Sequence, residues 1–188
     1  SNRIAQALIE AGGGFIAAPS ANRSGRPSPT LARYCREDLD GRVDMIIDGG
    51  KVGLGLESTI IDLTEETPVI LRPGFITWEN LSGLLGDVDA GSLVPGLDDD
   101  TAPKAPGMKY RHYAPRAPLL LITGARRRRL ALMAALAECY QKKGLKVGIL
   151  QAPAGPEGFR AAGKRLYQAL RRFDARGMDL ILAEGVSA

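Results

Sequence analysis

Apolar positions recur at helical spacing in residues 2–11, where Ile4, Ala7, Leu8 and Ala11 share one face. Gly12, Gly13 and Gly14 end that run, so the pattern predicts a helix with a glycine stop. A short apolar stretch at 15–18 reads as a buried strand, and Leu31, Tyr34, Cys35 and Leu39 mark a second helix over 30–40. Residues 43–48 are apolar and β-branched, which predicts a strand closed by Gly49 and Gly50. Two more strands are expected at 58–63 and 69–72, with Glu65, Glu66, Thr67 and Pro68 turning the chain between them. Thr77 is placed to cap a helix that runs to Leu85, with Glu79 in its first turn, and Val88 begins a last short strand.

The pattern then stops. Gly91, Pro95, Gly96, Pro103, Pro106, Gly107 and Pro115 crowd residues 90–117, and Asp98, Asp99 and Asp100 add a charged run. This composition reads as a linker. It is long for a passive connection, and long aperiodic segments in compact proteins tend to be functional. From Leu119 the order is strand, helix, strand, helix, strand. Strands are expected at 119–122, 146–150 and 180–183. One helical face carries Leu132, Met133, Leu136 and Tyr140, and another carries Phe159, Gly163, Leu166, Leu170 and Phe173. Alternation of this kind predicts a parallel sheet with right-handed crossovers, a small doubly wound Rossmann-like α/β unit.

Composition adds limits. The chain has 188 residues, enough for one large or two small domains. With 45% hydrophobic and 24% charged residues it belongs among globular rather than disordered chains. No apolar run approaches the roughly 20 residues of a membrane span, and no basic and apolar leader opens the sequence. Cys35 and Cys139 lack metal-type spacing and read as reduced thiols of a cytoplasmic protein. The net charge of +4 conceals an asymmetry: residues 1–91 carry 8 basic and 13 acidic side chains, and residues 92–188 carry 17 and 8. Two modules are implied. The densest run, Arg126 to Arg129, reads as the solvated first turn of a helix, with nucleic-acid contact as the alternative.

The candidate chemistry centres on residues 17–30, AAPSANRSGRPSPT. Small hydroxyl and amide residues mixed with Gly and Pro make a turn-rich connection between an apolar stretch and a helix. Such a loop can be an ordinary connection. It can also present backbone N–H groups and the side chains of Ser20, Asn22, Ser24 and Ser28 to phosphate and ribose oxygens. Arg72 closes a strand before Pro73 and Gly74, where its planar fork can grip a phosphate or pair with a nearby carboxylate. Ser58 and Thr59 can meet a ligand or satisfy local backbone groups. His112 is the sole histidine, and no Ser/His/Asp set or metal-ligand set can be assembled around it.

Four blocks in order carry a resemblance. They are the 17–30 stretch; DGG at 48–50 followed by GLEST at 55–59; LRPG at 71–74; and APGMKYRHYAP at 105–115. Together they resemble the YrdC-type domain of threonylcarbamoyl-AMP synthases in their two-domain form. The resemblance implies that residues 1–91 are the C-terminal portion of a YrdC-type twisted α/β sheet domain. It makes 92–117 an active-site linker and 118–188 a Rossmann-like C-terminal domain. It also implies that this chain is part of a longer protein, whose preceding half supplies a Lys/Arg pair and most of the amino-acid pocket.

Carried over residue by residue, the family implies ATP contacts at Ala18, Ser20, Asn22, Ser28 and Arg72, and a threonine contact at Ser58. Lys109, Tyr110, Arg111, His112 and Tyr113 match a segment that closes over the site, which gives the linker's Gly and Pro residues a hinge role. The implied reaction joins L-threonine, bicarbonate and ATP into threonylcarbamoyl-AMP and pyrophosphate. Mg²⁺ accompanies ATP, and downstream proteins transfer the threonylcarbamoyl group to tRNA. Catalysis of this type rests on positioning and charge stabilisation, so the catalytic group itself stays unassigned. Two other classes remain open. An RNA-binding module could use the basic second half, although aromatics are only 5% of the chain and stacking platforms need them. A dinucleotide enzyme is disfavoured, because LLLITGAR at 119–126 has one glycine where the fingerprint needs three.

Overall fold

The computed structural model describes residues 2–90, 113–151 and 153–185. The first element, α1 (Arg3–Ala11), starts where Asn2 Oδ1 accepts from the amides of Ile4 (2.9 Å) and Ala5 (3.2 Å), two of the donors a helix leaves unpaired. Asn2 also donates to the Gly49 carbonyl at 2.9 Å, which ties α1 to a distant loop. The second helix, α2 (Ala32–Leu39), buries Tyr34 and Asp38. Strands β1 (Ile60–Asp62) and β2 (Val69–Arg72) form an antiparallel pair, and α3 (Trp78–Leu85) follows. At its start Thr77 and Asn80 form the reciprocal cap.

The second half is a three-stranded parallel sheet of β3 (Leu119–Ile122), β4 (Val147–Leu150) and β5 (Leu180–Glu184), in the order β3-β5-β4. Its helices are α4 (Arg126–Lys142), α5 (Pro156–Gly163) and α6 (Leu166–Ala175). All five residues of β5 are buried, as expected of a central parallel strand covered on both faces. Alternation along β5 divides the core. Leu180 and Leu182 pack with Met133 and Ala137 of α4, and Ile181 packs with Tyr167 and Leu170 of α6. The unit is therefore doubly wound. Leu56 and Tyr113 join the α6 side of this core, so the hydrophobic packing runs from one half of the chain into the other.

Five sequence expectations are corrected. Residues 15–18 and 43–48 are not strands: among the described residues no neighbouring strand pairs with them, and Phe15 is 83% exposed and Met45 76% exposed. Val88 starts no strand either, and only a single bridge joins Val69 to Asp89. The stripe from Phe159 to Phe173 is two helices, not one. The chain breaks at Lys164, whose carbonyl leaves the helical ladder to accept from the Gly55 amide at 2.8 Å. Finally, the arginine run is not uniformly solvated. Arg129 is buried, donating to Glu184 Oε1 from Nη2 at 2.7 Å and to the Gly124 carbonyl at 2.7 Å, while Arg126, Arg127 and Arg128 stay exposed.

Candidate functional site

The 17–30 loop is held by its own side chains. Asn22 Nδ2 donates to the carbonyls of Arg23 (3.0 Å) and Arg26 (3.2 Å), which curls the loop around it. Ser28 Oγ lies between Glu57 Oε1 and Asn22 Oδ1 (3.3 Å) and can donate to one of them at a time. Ser20, Ser28, Thr30, Cys35, Glu57 and Tyr167 line a cavity of about 290 Å³. A larger groove of about 500 Å³ lies between α1 and residues 47–53, but it converges few polar groups, with Lys51 as its one ionisable side chain. Convergent polar groups, not volume, mark the first cavity as the candidate site.

Beside the cavity stands an arginine network. The register between β1 and β2 skips Leu71, because Ile60 pairs with Arg72 and Ile61 with Ile70. This irregularity brings Arg72 beside Ser58. Arg72 donates to the Ser58 carbonyl from Nε (3.2 Å) and Nη2 (2.9 Å), to Ser58 Oγ (3.1 Å) and to the Tyr113 hydroxyl (3.1 Å). Its Nη2 lies 3.8 Å from Glu57 Oε2. Gly74 makes the turn possible, since a Cβ there would overlap the backbone of Glu57, Ser58 and Thr59. Thr59 Oγ1 donates to the Ile76 carbonyl at 2.6 Å and has a structural role.

The C-terminal unit walls the same site. The rings of Tyr113 and Tyr167 stack with centroids 5.6 Å apart and planes 21° from parallel. Burial pushes both phenols up, and the Glu57 carboxylate adds to this in each, while Arg72 opposes it. Both therefore stay protonated at neutral pH. Beneath the loop, Arg171 of α6 donates to the Pro27 carbonyl (2.8 Å) and grips Asp38 with two nitrogens (3.1 and 2.5 Å). Arg26 Nη1 donates to Asp38 Oδ1 as well, and Asp174 of α6 accepts from the Arg116 amide at 2.8 Å. Burial alone would raise Asp38; the hydrogen bonds and charge of Arg171, with Arg26 behind them, outweigh it and hold the carboxyl below its ordinary value. Burial also pushes the Cys35 thiol up.

Of the sequence-derived site residues, Ser20 and Ser28 line the cavity, and Arg72, Ser58 and Tyr113 form the network beside it. Asn22 shapes the loop, and Ala18 is exposed and does not line the cavity. Lys109, Tyr110, Arg111 and His112 lie outside the described residues. Glu57, Asp38, Tyr167 and Arg171 were missed. Glu57 sits inside the GLEST block and could have been found as the one carboxylate beside two hydroxyls. Tyr167 and Arg171 lie in the stretch expected as one helix, but neither carries a local signal of a site role. Among the described residues no three His, Cys, Asp or Glu side chains cluster as metal ligands, and no helix is long and apolar enough to cross a membrane.

These features define a class: a two-module α/β protein whose modules share one polar cavity. A family model described as "Threonylcarbamoyl-AMP synthase, C-terminal domain" matches residues 76–188, and one described as "Telomere recombination" matches residues 1–74. The threonylcarbamoyl-AMP synthase of Pyrococcus abyssi is 43% identical over 99% of this chain and 57% of its own length. That of Bacillus subtilis is 42% identical over 96% of this chain and 55% of its own. The crystal structure of P. abyssi Sua5 complexed with L-threonine superposes with a TM-score of 0.87 at 42% identity, covering all of this chain and 57% of that one. The chain belongs to the threonylcarbamoyl-AMP synthase family, and it spans little more than half the length of these relatives.

Proposed function

We propose that the protein containing this chain is an L-threonylcarbamoyladenylate synthase, a nucleotidyltransferase that converts L-threonine, bicarbonate and ATP into threonylcarbamoyl-AMP and pyrophosphate. Residues 1–91 belong to its catalytic domain, 92–117 to an active-site linker and 118–188 to its C-terminal domain. The observation that carries the reading is the convergence of Ser20, Ser28 and Glu57 on one cavity, with Arg72 held beside it. Hydroxyls and an arginine fork are the donors that a nucleotide phosphate needs. The L-threonine bound in the similar P. abyssi structure supports the amino-acid substrate, and in this reading Ser58 contacts it.

In this reading N-carboxythreonine, formed from threonine and bicarbonate, attacks the α-phosphorus of ATP, and the P–O bond to pyrophosphate breaks. Ser20, Ser28 and Arg72 hold phosphate oxygens, and Asn22 keeps the loop in shape for them. Ala18 supplies a backbone contact to the nucleotide. The segment Lys109, Tyr110, Arg111, His112 and Tyr113 closes the site and keeps water from a labile product. Mg²⁺ fits as an ion carried on the nucleotide: the cavity offers Glu57 and hydroxyl oxygens, not a protein cage. When bound, it neutralises phosphate charge. The product is consumed by proteins that transfer the threonylcarbamoyl group to tRNA, in the cytoplasm.

The test is pyrophosphate release from ATP by this chain and by a version extended to the length of its relatives. Release by the longer protein that requires both L-threonine and bicarbonate is the expected result. Silence from a folded longer protein would overturn the reading, and salt-sensitive RNA binding would then become the leading alternative.

A further inference from the structure

We infer that Tyr167, carried by α6 in the C-terminal unit, is a positioning residue of the ATP site and acts through Tyr113 on Arg72. The inference rests on the synthase reading above. Tyr113 has a backbone φ of 58°, the left-handed region that an aromatic side chain avoids. Such a conformation persists where the surroundings over-determine it. Contacts among the described residues hold it here. Its ring stacks on Tyr167 at 5.6 Å, its hydroxyl accepts from Arg72 Nη1 at 3.1 Å, and the next amide, Ala114, donates to the Gly25 carbonyl of the 17–30 loop at 3.0 Å.

Tyr167 is itself fixed at both ends of its helix turn. Its amide donates to the Gly55 carbonyl at 3.2 Å, beside the 2.8 Å bond from the Gly55 amide to Lys164. Four residues on, on the same helix face, Arg171 is fully buried and bound to Pro27 and Asp38. A rigid ring is thereby presented to the cavity from a module that supplies none of the matched ATP contacts. The ring sets Tyr113, and Tyr113 supplies the Arg72 Nη1 anchor. Without it the fork keeps its Ser58 bonds but loses one constraint on where it meets phosphate. The C-terminal unit is thus part of the site's architecture rather than an appendage.

The experiment uses the full-length protein, with kinetics and amide hydrogen exchange measured in parallel. Tyr167→Ala is expected to raise KM for ATP about three- to tenfold, the scale of one lost aromatic stack, with a smaller change for threonine. It is also expected to speed exchange at the Ala114 amide in the absence of substrate. Tyr167→Phe keeps the stack and recovers most of both. If Tyr167→Ala does not fold, Tyr167→Leu retains the buried apolar bulk without the flat ring and serves in its place. Unchanged KM and exchange would overturn the inference. So would a Tyr167→Phe defect equal to that of Ala, which would assign the effect to the Tyr167 hydroxyl. An inactive wild-type protein would sink the synthase reading alone, and the exchange data would still decide the positioning.

Discussion

At the scale of single residues, Arg72 shows how a side chain can be read correctly in outline and incompletely in detail. The sequence left open phosphate contact or a carboxylate partner, and the structure supplies the partner, Glu57, without removing the fork from the cavity side. Arg72→Lys keeps the charge but cannot make the bonds to Ser58 and Tyr113 together. The expected outcome is a KM for ATP raised at least about tenfold, with stability lowered by about 1–2 kcal/mol, the scale of a lost charge-assisted hydrogen bond. Steady-state kinetics beside urea unfolding check it, and wild-type KM would remove Arg72 from the site. The cysteines give a second test. Burial raises the Cys35 thiol and so lowers its thiolate fraction, while Cys139 is exposed. A maleimide reagent at pH 7 should label Cys139 first, and saturating ATP should slow Cys35 further because that residue lines the cavity. Mass spectrometry of the labelled peptides reads both rates.

At the scale of elements, what was legible depended on whether an element's partner lies in the same stretch of sequence. The strands β3, β4 and β5 were found because their apolar runs are flanked by helices that cover them. Residues 15–18 and 43–48 have the same apolar character but no pairing strand among those described, and strand identity is a property of the pair. The break at Lys164 was illegible for a related reason: a bond to Gly55, 109 residues earlier in the chain, competes with the helical ladder. That contact requires glycine, because a Cβ at position 55 would overlap the Lys164 carbonyl. Gly55→Ala should therefore cost about 1–3 kcal/mol, the usual scale of overpacking. It should also loosen Tyr167, whose amide uses the Gly55 carbonyl. Thermal unfolding and exchange at the Tyr167 amide would show this, and a fully wild-type melt would mean that the junction is looser than its geometry.

At the scale of the molecule, the two halves are joined by a buried ion cluster that no local pattern announced. Its charges come from loop residue Arg26, from Asp38 of α2, and from Arg171 and Asp174 of α6. Both side chains of the Arg171–Asp38 pair are wholly buried. Removing one partner strands the other, so Asp38→Asn is expected to cost about 3–5 kcal/mol, whereas Asp38→Asn combined with Arg171→Met should recover a large part of that loss. The pH dependence follows from the lowered Asp38 carboxyl. Its unfolded value is about 3.9 and its folded value lies below that. The stabilisation is complete well above pH 4 and is lost as pH falls through the folded value, because the unfolded chain takes up the proton first. Urea unfolding from pH 7 down to pH 3 should show a decline confined to the acid end, and a shallower one in Asp38→Asn. An equal acid slope in both proteins would mean that Asp38 is not the group being titrated. A loss of stability with no accompanying change at the 17–30 loop, read by exchange at the Arg23 amide that donates to Asp38 Oδ2 at 3.3 Å, would mean that the cluster joins the modules without shaping the site. The bonds from Arg171 to both Pro27 and Asp38 argue for the opposite: the same buried arginine that joins the halves also sets the loop that carries Ser20 and Ser28.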